Sequence, residues 1–185
     1  MPEGRSNFTR WIEEIPRLID ESSSRFSSRD FNGTLRLLDR AEAHIINARA
    51  GMQQLERSGM VTPNEAKKVY YGLEVSRARM DTSRAMAFGY LGRTREAKRI
   101  LGDVYARTGL PDQFAFGAMI NLAGIHHLEG EKKPAWEAFR QAEELAHKMG
   151  PDQSVSSHLE LIRGRLTRTF GRPHKKPGGR GRHRK

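Results

Sequence analysis

Apolar residues recur at every third or fourth position along almost the whole chain, and alternation of the strand type is nearly absent. The pattern predicts seven helices. The first spans about Pro16 to Ser28, with room for an extra turn around Trp11, because proline is harmless at a helix start but kinks an interior. The second, from about Asp30 to Arg57, carries Leu38, Ala41, Ile45, Ala48, Met52 and Leu55, whose alternating spacings of 3 and 4 trace one helical face. Ser58-Gly59 ends it, since glycine accepts the left-handed backbone that follows a helix. The third opens at "TPNE": Thr62 is placed to cap, Pro63 sits where its missing N–H does no harm, and Glu65 completes a capping box. Its stripe runs from Ala66, Val69, Leu73 and Met80 to Ala87 and Leu91. Both long helices come to about 42 Å at about 1.5 Å per residue. A short loop makes them an antiparallel hairpin; the alternative is a break near Asp81-Thr82.

After Gly92 the pattern predicts a fourth helix over about Thr94–Thr108, closed by Gly109 and Pro111. A fifth runs from about Asp112 to Leu128, and a sixth has Pro134 in its first turn and ends at Gly150-Pro151. The seventh, about Asp152–Thr169, carries Val155, Leu159, Ile162 and Leu166 on one side. Ser154, Ser156, Ser157, Glu160 and Arg163 are left for water. The fold class is all-α, with a helical domain over residues 1–170 and a basic tail over 171–185.

Two stretches repeat. In "AFGYLGRTREAKRILGDVYA" and "LAGIHHLEGEKKPAWEAFRQAEELA" a glycine is followed at equal distances by alanine, a large apolar residue and another apolar residue. These are Gly92, Ala97, Leu101 and Val104 in one copy and Gly130, Ala135, Phe139 and Ala142 in the other, 38 residues apart. A weaker copy, "RDFNGTLRLLDRAEA", offers Phe31, Thr34, Leu38 and Ala41. Small residues, Ala85 and Ala123, stand where the preceding helix would meet its partner. The pattern resembles the tetratricopeptide repeat (TPR), a helix–turn–helix unit of about 34 residues. The resemblance covers roughly residues 15–150; the family's tryptophan, Leu-Gly pair and closing proline are incomplete, and the spacing is irregular. It implies a TPR-like stack of antiparallel helical hairpins in which the seventh helix caps the exposed end. It further implies a groove lined by the first helices of successive units, here by Arg79, Ser83, Met86, Tyr90, Gly117, Asn121, Gly124 and His127, docking a peptide or helix of a protein partner. Some members of the family clamp a terminal carboxylate there. Arg79 and Asn121 fall near two such positions, and the remaining clamp residues are missing.

Charge changes the picture at one end only. Beyond Glu160 there is no acid, and ten bases follow: Arg163, Arg165, Arg168, Arg172, Lys175, Lys176, Arg180, Arg182, Arg184 and Lys185. Removing those ten from 33 leaves 23 bases against 22 acids, so the body is nearly neutral. The tail "GRPHKKPGGRGRHRK" holds seven of them in fifteen residues with nothing apolar to bury, and is expected to be disordered alone. Flexible arginines separated by glycine track a phosphate backbone and stack on bases, which makes nucleic acid, RNA slightly preferred, the expected partner of the tail. A localisation signal, an acidic protein or membrane surface, and a solubilising end are the competing readings.

Other chemistry finds little support. No apolar run approaches the roughly 18 residues of a membrane span, and the N-terminus reads as neither a secretory signal nor a transit peptide. Zero cysteines leave no disulfide framework and no thiolate nucleophile, in keeping with a cytoplasmic or nuclear protein. Neighbouring helical residues point about 100° apart, so His126-His127 cannot chelate one ion; His127 and Glu131 straddle the turn, and no metal site or cofactor is expected. Glu13-Glu14 and Glu143-Glu144 read as solvated faces, and "PGGRGR" lacks the strand and helix of a phosphate loop, so no catalytic residue is assigned. The serines of "ESSSRFSSRD" read as small polar residues at a helix end, with phosphorylation as the alternative. The expected function is a non-enzymatic adaptor with a basic, nucleic-acid-binding tail. The alternative is a dedicated nucleic-acid binder using Arg77, Arg79, Arg84, Arg93, Arg95, Lys98 and Arg99 of the body.

Overall fold

The computed structural model describes residues 2–171, with side chains from residue 7 onward; the basic segment expected beyond residue 171 lies outside the described residues. Among these residues there are seven helices and no strand: α1 (Pro2–Ser27), α2 (Phe31–Arg57), α3 (Pro63–Tyr90), α4 (Thr94–Ala106), α5 (Asp112–Leu128), α6 (Lys132–Met149) and α7 (Gln153–Phe170). The third helix is unbroken through Asp81-Thr82. Its capping box is in place: Thr62 Oγ1 accepts from the Glu65 N–H at 3.3 Å, and Glu65 Oε2 accepts from the Thr62 N–H at 2.7 Å.

The first helix differs from expectation. It extends to Pro2 and continues through Pro16. An interior proline costs about 3 kcal/mol, but Phe8, Trp11 and Ile12 ahead of it pack against the α1–α2 core and offset that cost. Gly51 of α2 makes room for them: a Cβ there would lie 3.2 Å from Phe8 and 3.4 Å from Trp11.

Every helix packs on its neighbour in sequence, and each odd helix also packs on the next odd one, α1 on α3, α3 on α5 and α5 on α7. The even helices do not pack on one another. Two layers result, with the odd helices sharing one and each even helix lying behind its own hairpin. The core follows the same order. One cluster joins α1, α2 and α3 around Leu18, Leu38 and Ala41; the next joins α3, α4 and α5 around Ala97, Leu101 and Ile125; the last joins α5, α6 and α7 around Phe139, Ala142 and Leu166. Contact is local along the stack, as in a helical repeat.

The hairpin turns are equivalent in atomic detail. Before α4, the Gly92 N–H donates to Gly89 O (3.2 Å) and the Arg93 N–H to Phe88 O (2.8 Å). Before α6, Gly130 and Glu131 donate to His127 O (3.1 Å) and His126 O (2.9 Å). Before α2, Arg29 and Asp30 donate to Phe26 O (2.9 Å) and Arg25 O (3.0 Å). This is the Schellman arrangement, which needs a left-handed residue. Gly92 (φ 77°) and Gly130 (φ 73°) supply it, and in the first unit Arg29 (φ 62°) does so without a glycine. Five residues after each turn residue come Thr34, Ala97 and Ala135, all fully buried. Seven before it come Ser22, Ala85 and Ala123, also fully buried. In the first unit the two positions are bonded, Thr34 Oγ1 donating to Ser22 O at 3.3 Å.

A polar clamp ties the first two units together. Asp81, only 8% exposed, accepts from Arg107 at the end of α4. Arg84, beside it, reaches α2 at Asp39 and Glu42, both at 2.9 Å. Removing one partner from a buried pair strands the other. Asp81→Ala is expected to cost about 3 kcal/mol in urea unfolding. Asp103→Ala, which breaks only the exposed Arg99–Asp103 pair, is expected to cost under about 0.5 kcal/mol.

Candidate functional site

The odd-helix layer is open at its centre, where α3, α5 and α7 converge on a groove of about 530 Å³. Its walls are apolar: Met86 from α3, Ile120 and Ile125 from α5, and Leu161, Ile162 and Leu166 from α7. Gly89 lets α3 and α5 approach, since a Cβ there would meet Ile125 at 3.4 Å. Tyr90 (53% exposed), Leu128 (62%) and Leu161 (50%) stand exposed around it, more bare apolar surface than a finished core presents.

The rim is cationic. Arg165 and Arg168 project from α7 along the same edge, His127 and His158 stand with them, and no carboxylate lines the groove. Neither arginine is ion-paired among the described residues; Arg168 Nε donates to Gly164 O of its own helix at 3.3 Å. His127 is fixed against α7, with Nε2 2.7 Å from Thr169 Oγ1 and its ring edge-on to Phe170 at 5.5 Å.

Of the groove residues expected from the sequence, Met86, Tyr90, Asn121, Gly124 and His127 line this groove. Arg79, Ser83 and Gly117 lie outside it; Arg79 instead pairs with Asp20 of α1 at 3.2 Å. Arg79 and Asn121 are therefore not brought to one site. The contribution of α7 was missed. Its inner stripe of Val155, Leu159, Ile162 and Leu166 reads as a cap, and Leu166 is fully buried. A second stripe of His158, Leu161, Arg165 and Arg168, at helical spacing on the adjacent face, was the available signal. Of the expected nucleic-acid residues, Arg163 pairs with Glu143 and lies 5.6 Å over the Phe139 ring. Arg172, Lys175, Lys176, Arg180, Arg182, Arg184 and Lys185 lie outside the described residues.

The serines of the α1 end are occupied within their helix. Ser22 is buried and donates to Ile19 O at 2.7 Å, while Ser27 and Ser28 donate to Ser23 O and Ser24 O, each at 3.0 Å.

A second polar cluster lies behind the groove, at the turn between α5 and α6. His126, not His127, meets Glu131. His126, Glu129 and Glu131 bring their ligand atoms within 4.8 Å of one another. The space among them is taken: the Lys98 ammonium of α4 donates to Glu131 Oε2 at 2.7 Å and pairs with Glu129, which also accepts from Thr94. The group is an ion-paired latch between the second and third units.

No protein-family model, curated protein or solved structure matches the chain.

The latch has a pH signature. The hydrogen bond from Lys98, followed by that from His126, pulls the Glu131 carboxyl from 4.5 down to about 2. A carboxyl depressed in the folded state adds stability above its unfolded value and loses it as pH falls through the folded one. Thermal unfolding followed by circular dichroism should lose stability between pH 4.5 and about 2, and Glu131→Gln should flatten that part of the curve.

Proposed function

We propose that this chain is a TPR-like helical-repeat adaptor. It acts without catalysis in the cytoplasm, docking a segment of another protein along α3, α5 and α7 and contacting nucleic acid, RNA slightly preferred, through its basic C-terminal segment. The observation that carries the docking reading is the open apolar groove with a cationic, carboxylate-free rim. The occupant that suits it is an amphipathic helix whose apolar anchors recur at i, i+3, i+4 and i+7 and whose flanks are acidic. The chain's own tail has neither property, being cationic and without apolar residues.

The TPR-like assignment rests on the three equivalent turns, the small residues at matching positions before and after them, and the shared layer of odd helices. The reading as a body-wide nucleic-acid binder is weaker, because most of the cations it needs are neutralised. Arg79, Arg84, Arg93, Lys98 and Arg99 are each paired with a carboxylate.

Gly124 gives a clean test of the groove, since a Cβ there meets nothing within 4 Å. Helical peptides selected by display on the full chain should carry apolar anchors with acidic flanks. Gly124→Trp should weaken their binding by at least about tenfold, the value of one well-filled contact region, with the melting temperature unchanged. Peptides without that pattern, or binding indifferent to Gly124→Trp, would refute the groove reading. Separately, titrating single-stranded RNA at several salt concentrations should give a log K against log salt slope about 5 units shallower when the seven tail bases are changed to glutamine.

A further inference from the structure

The first hairpin turn breaks the rule the other two obey. Where they place glycine, it places Arg29 at φ 62°, and a side chain in the left-handed region is strained. The guanidinium earns no internal compensation: Arg29 has no ion pair or side-chain hydrogen bond within the described structure. It lines a cleft of about 490 Å³ together with Phe26, Ser27, Phe31 and Tyr90. The neighbouring carboxylate of Asp30 is already engaged, accepting from the Gly33 N–H at 2.8 Å and facing Arg25 at 3.5 Å. The cleft is therefore cationic and aromatic, with no acid in its lining.

The rings are held in a fixed arrangement. Phe31 and Tyr90 are stacked, with centroids 5.0 Å apart and planes 9° from parallel. Phe26 stands edge-on to both, 5.4 Å from Phe31 and 5.5 Å from Tyr90. Because Phe26 is nearly equidistant from the two, it lies beside the stack and not beyond it. The face of Tyr90 turned away from Phe31 is left clear of both rings, and Tyr90 is 53% exposed. A half-exposed ring packed against two others, in a cleft that also holds an unpaired arginine, is a stacking platform.

We propose that this cleft is a single-stranded nucleic-acid site, with a base stacked on the exposed ring of Tyr90 and a phosphate held by Arg29. Base stacking uses the π-face of any nucleotide, and arginine meets the backbone charge. An acidic peptide would use the arginine but leave the platform unfilled. Tyr90 lies at the junction of cleft and groove. The site shares Tyr90 with the docking groove, and Phe26, Arg29 and Phe31, which lie outside the groove, separate the two readings.

The test uses the full chain with fluorescein-labelled oligo(U) RNA and oligo(dT) DNA, read by anisotropy at two salt concentrations. Tyr90→Ala should weaken binding about tenfold, the worth of one stacked base, and Tyr90→Phe should restore it. Arg29→Gly separates function from folding. Glycine suits the turn, so the melting temperature should hold or rise, while affinity falls and the salt slope shrinks by about 0.7. Gly124→Trp, in the groove, should bind as the parent chain does. Wild-type affinity in both Tyr90→Ala and Arg29→Gly would overturn the proposal. So would failure of the full chain to bind either oligonucleotide, or a loss confined to Gly124→Trp. An acidic helical peptide losing affinity with Tyr90→Ala while RNA keeps it would overturn it equally.

Discussion

Two helices in this chain meet closely only where both offer residues small enough to let their backbones approach. That constraint organises the structure. Ser22 with Thr34, Ala85 with Ala97 and Ala123 with Ala135 stand at matching distances on either side of a left-handed turn, and all are buried. The turn sets how the second helix leaves the first, the small pair sets the crossing, and Leu38, Leu101 and Phe139 fill the space beside it. Larger side chains at the crossing would drive the helices apart and remove the apolar contacts that hold each unit to the next. With the hairpins fixed in this way, the odd helices share a layer, and the groove between α3, α5 and α7 is a consequence of that layer.

Much of the fold was legible because these demands are local. The boundaries of α5, the capping box at Thr62 and the equivalence of the units after Gly92 and Gly130 follow from residue types within a few positions. The first unit was harder to read, because Arg29 does the work of glycine and Thr34 that of alanine. Nothing in an isolated arginine announces a left-handed backbone. Ahead of Pro16 only a turn around Trp11 was legible; the full extension of α1 depends on Phe8 and Trp11 meeting Gly51, a residue far along the chain. A break near Asp81-Thr82 stood only as the alternative to a continuous α3, and the helix is continuous there. The Asp81 carboxylate is held by Arg107, remote in sequence, and by Arg84, one turn along the same helix.

The candidate site divides along the same line. Positions on α3 and α5 were accessible through the repeat, which names the faces that share a layer, and Met86, Tyr90, Asn121, Gly124 and His127 do line one groove. Arg79 points to Asp20 instead, because at that level of the stack α1 and not α5 lies against it. The second stripe of α7 was readable in the sequence but its meeting with α3 and α5 was not, and neither was the stack of Phe31 on Tyr90, since each juxtaposition is created by packing between units. Likewise the His126, Glu129 and Glu131 cluster takes its character from Lys98 of the preceding unit. The chemistry of this protein lies largely where one hairpin meets the next.

That layered arrangement is open to direct measurement by nuclear Overhauser spectroscopy of the full chain in solution. The account predicts contacts between odd helices: Phe26 and Tyr90 ring protons, Gly89 α-protons with the Ile125 side chain, and His127 with Phe170. It predicts none between the mid-helix side chains of α2 and α4, or of α4 and α6. Cross-peaks joining the even helices, with the odd-helix set missing, would contradict it.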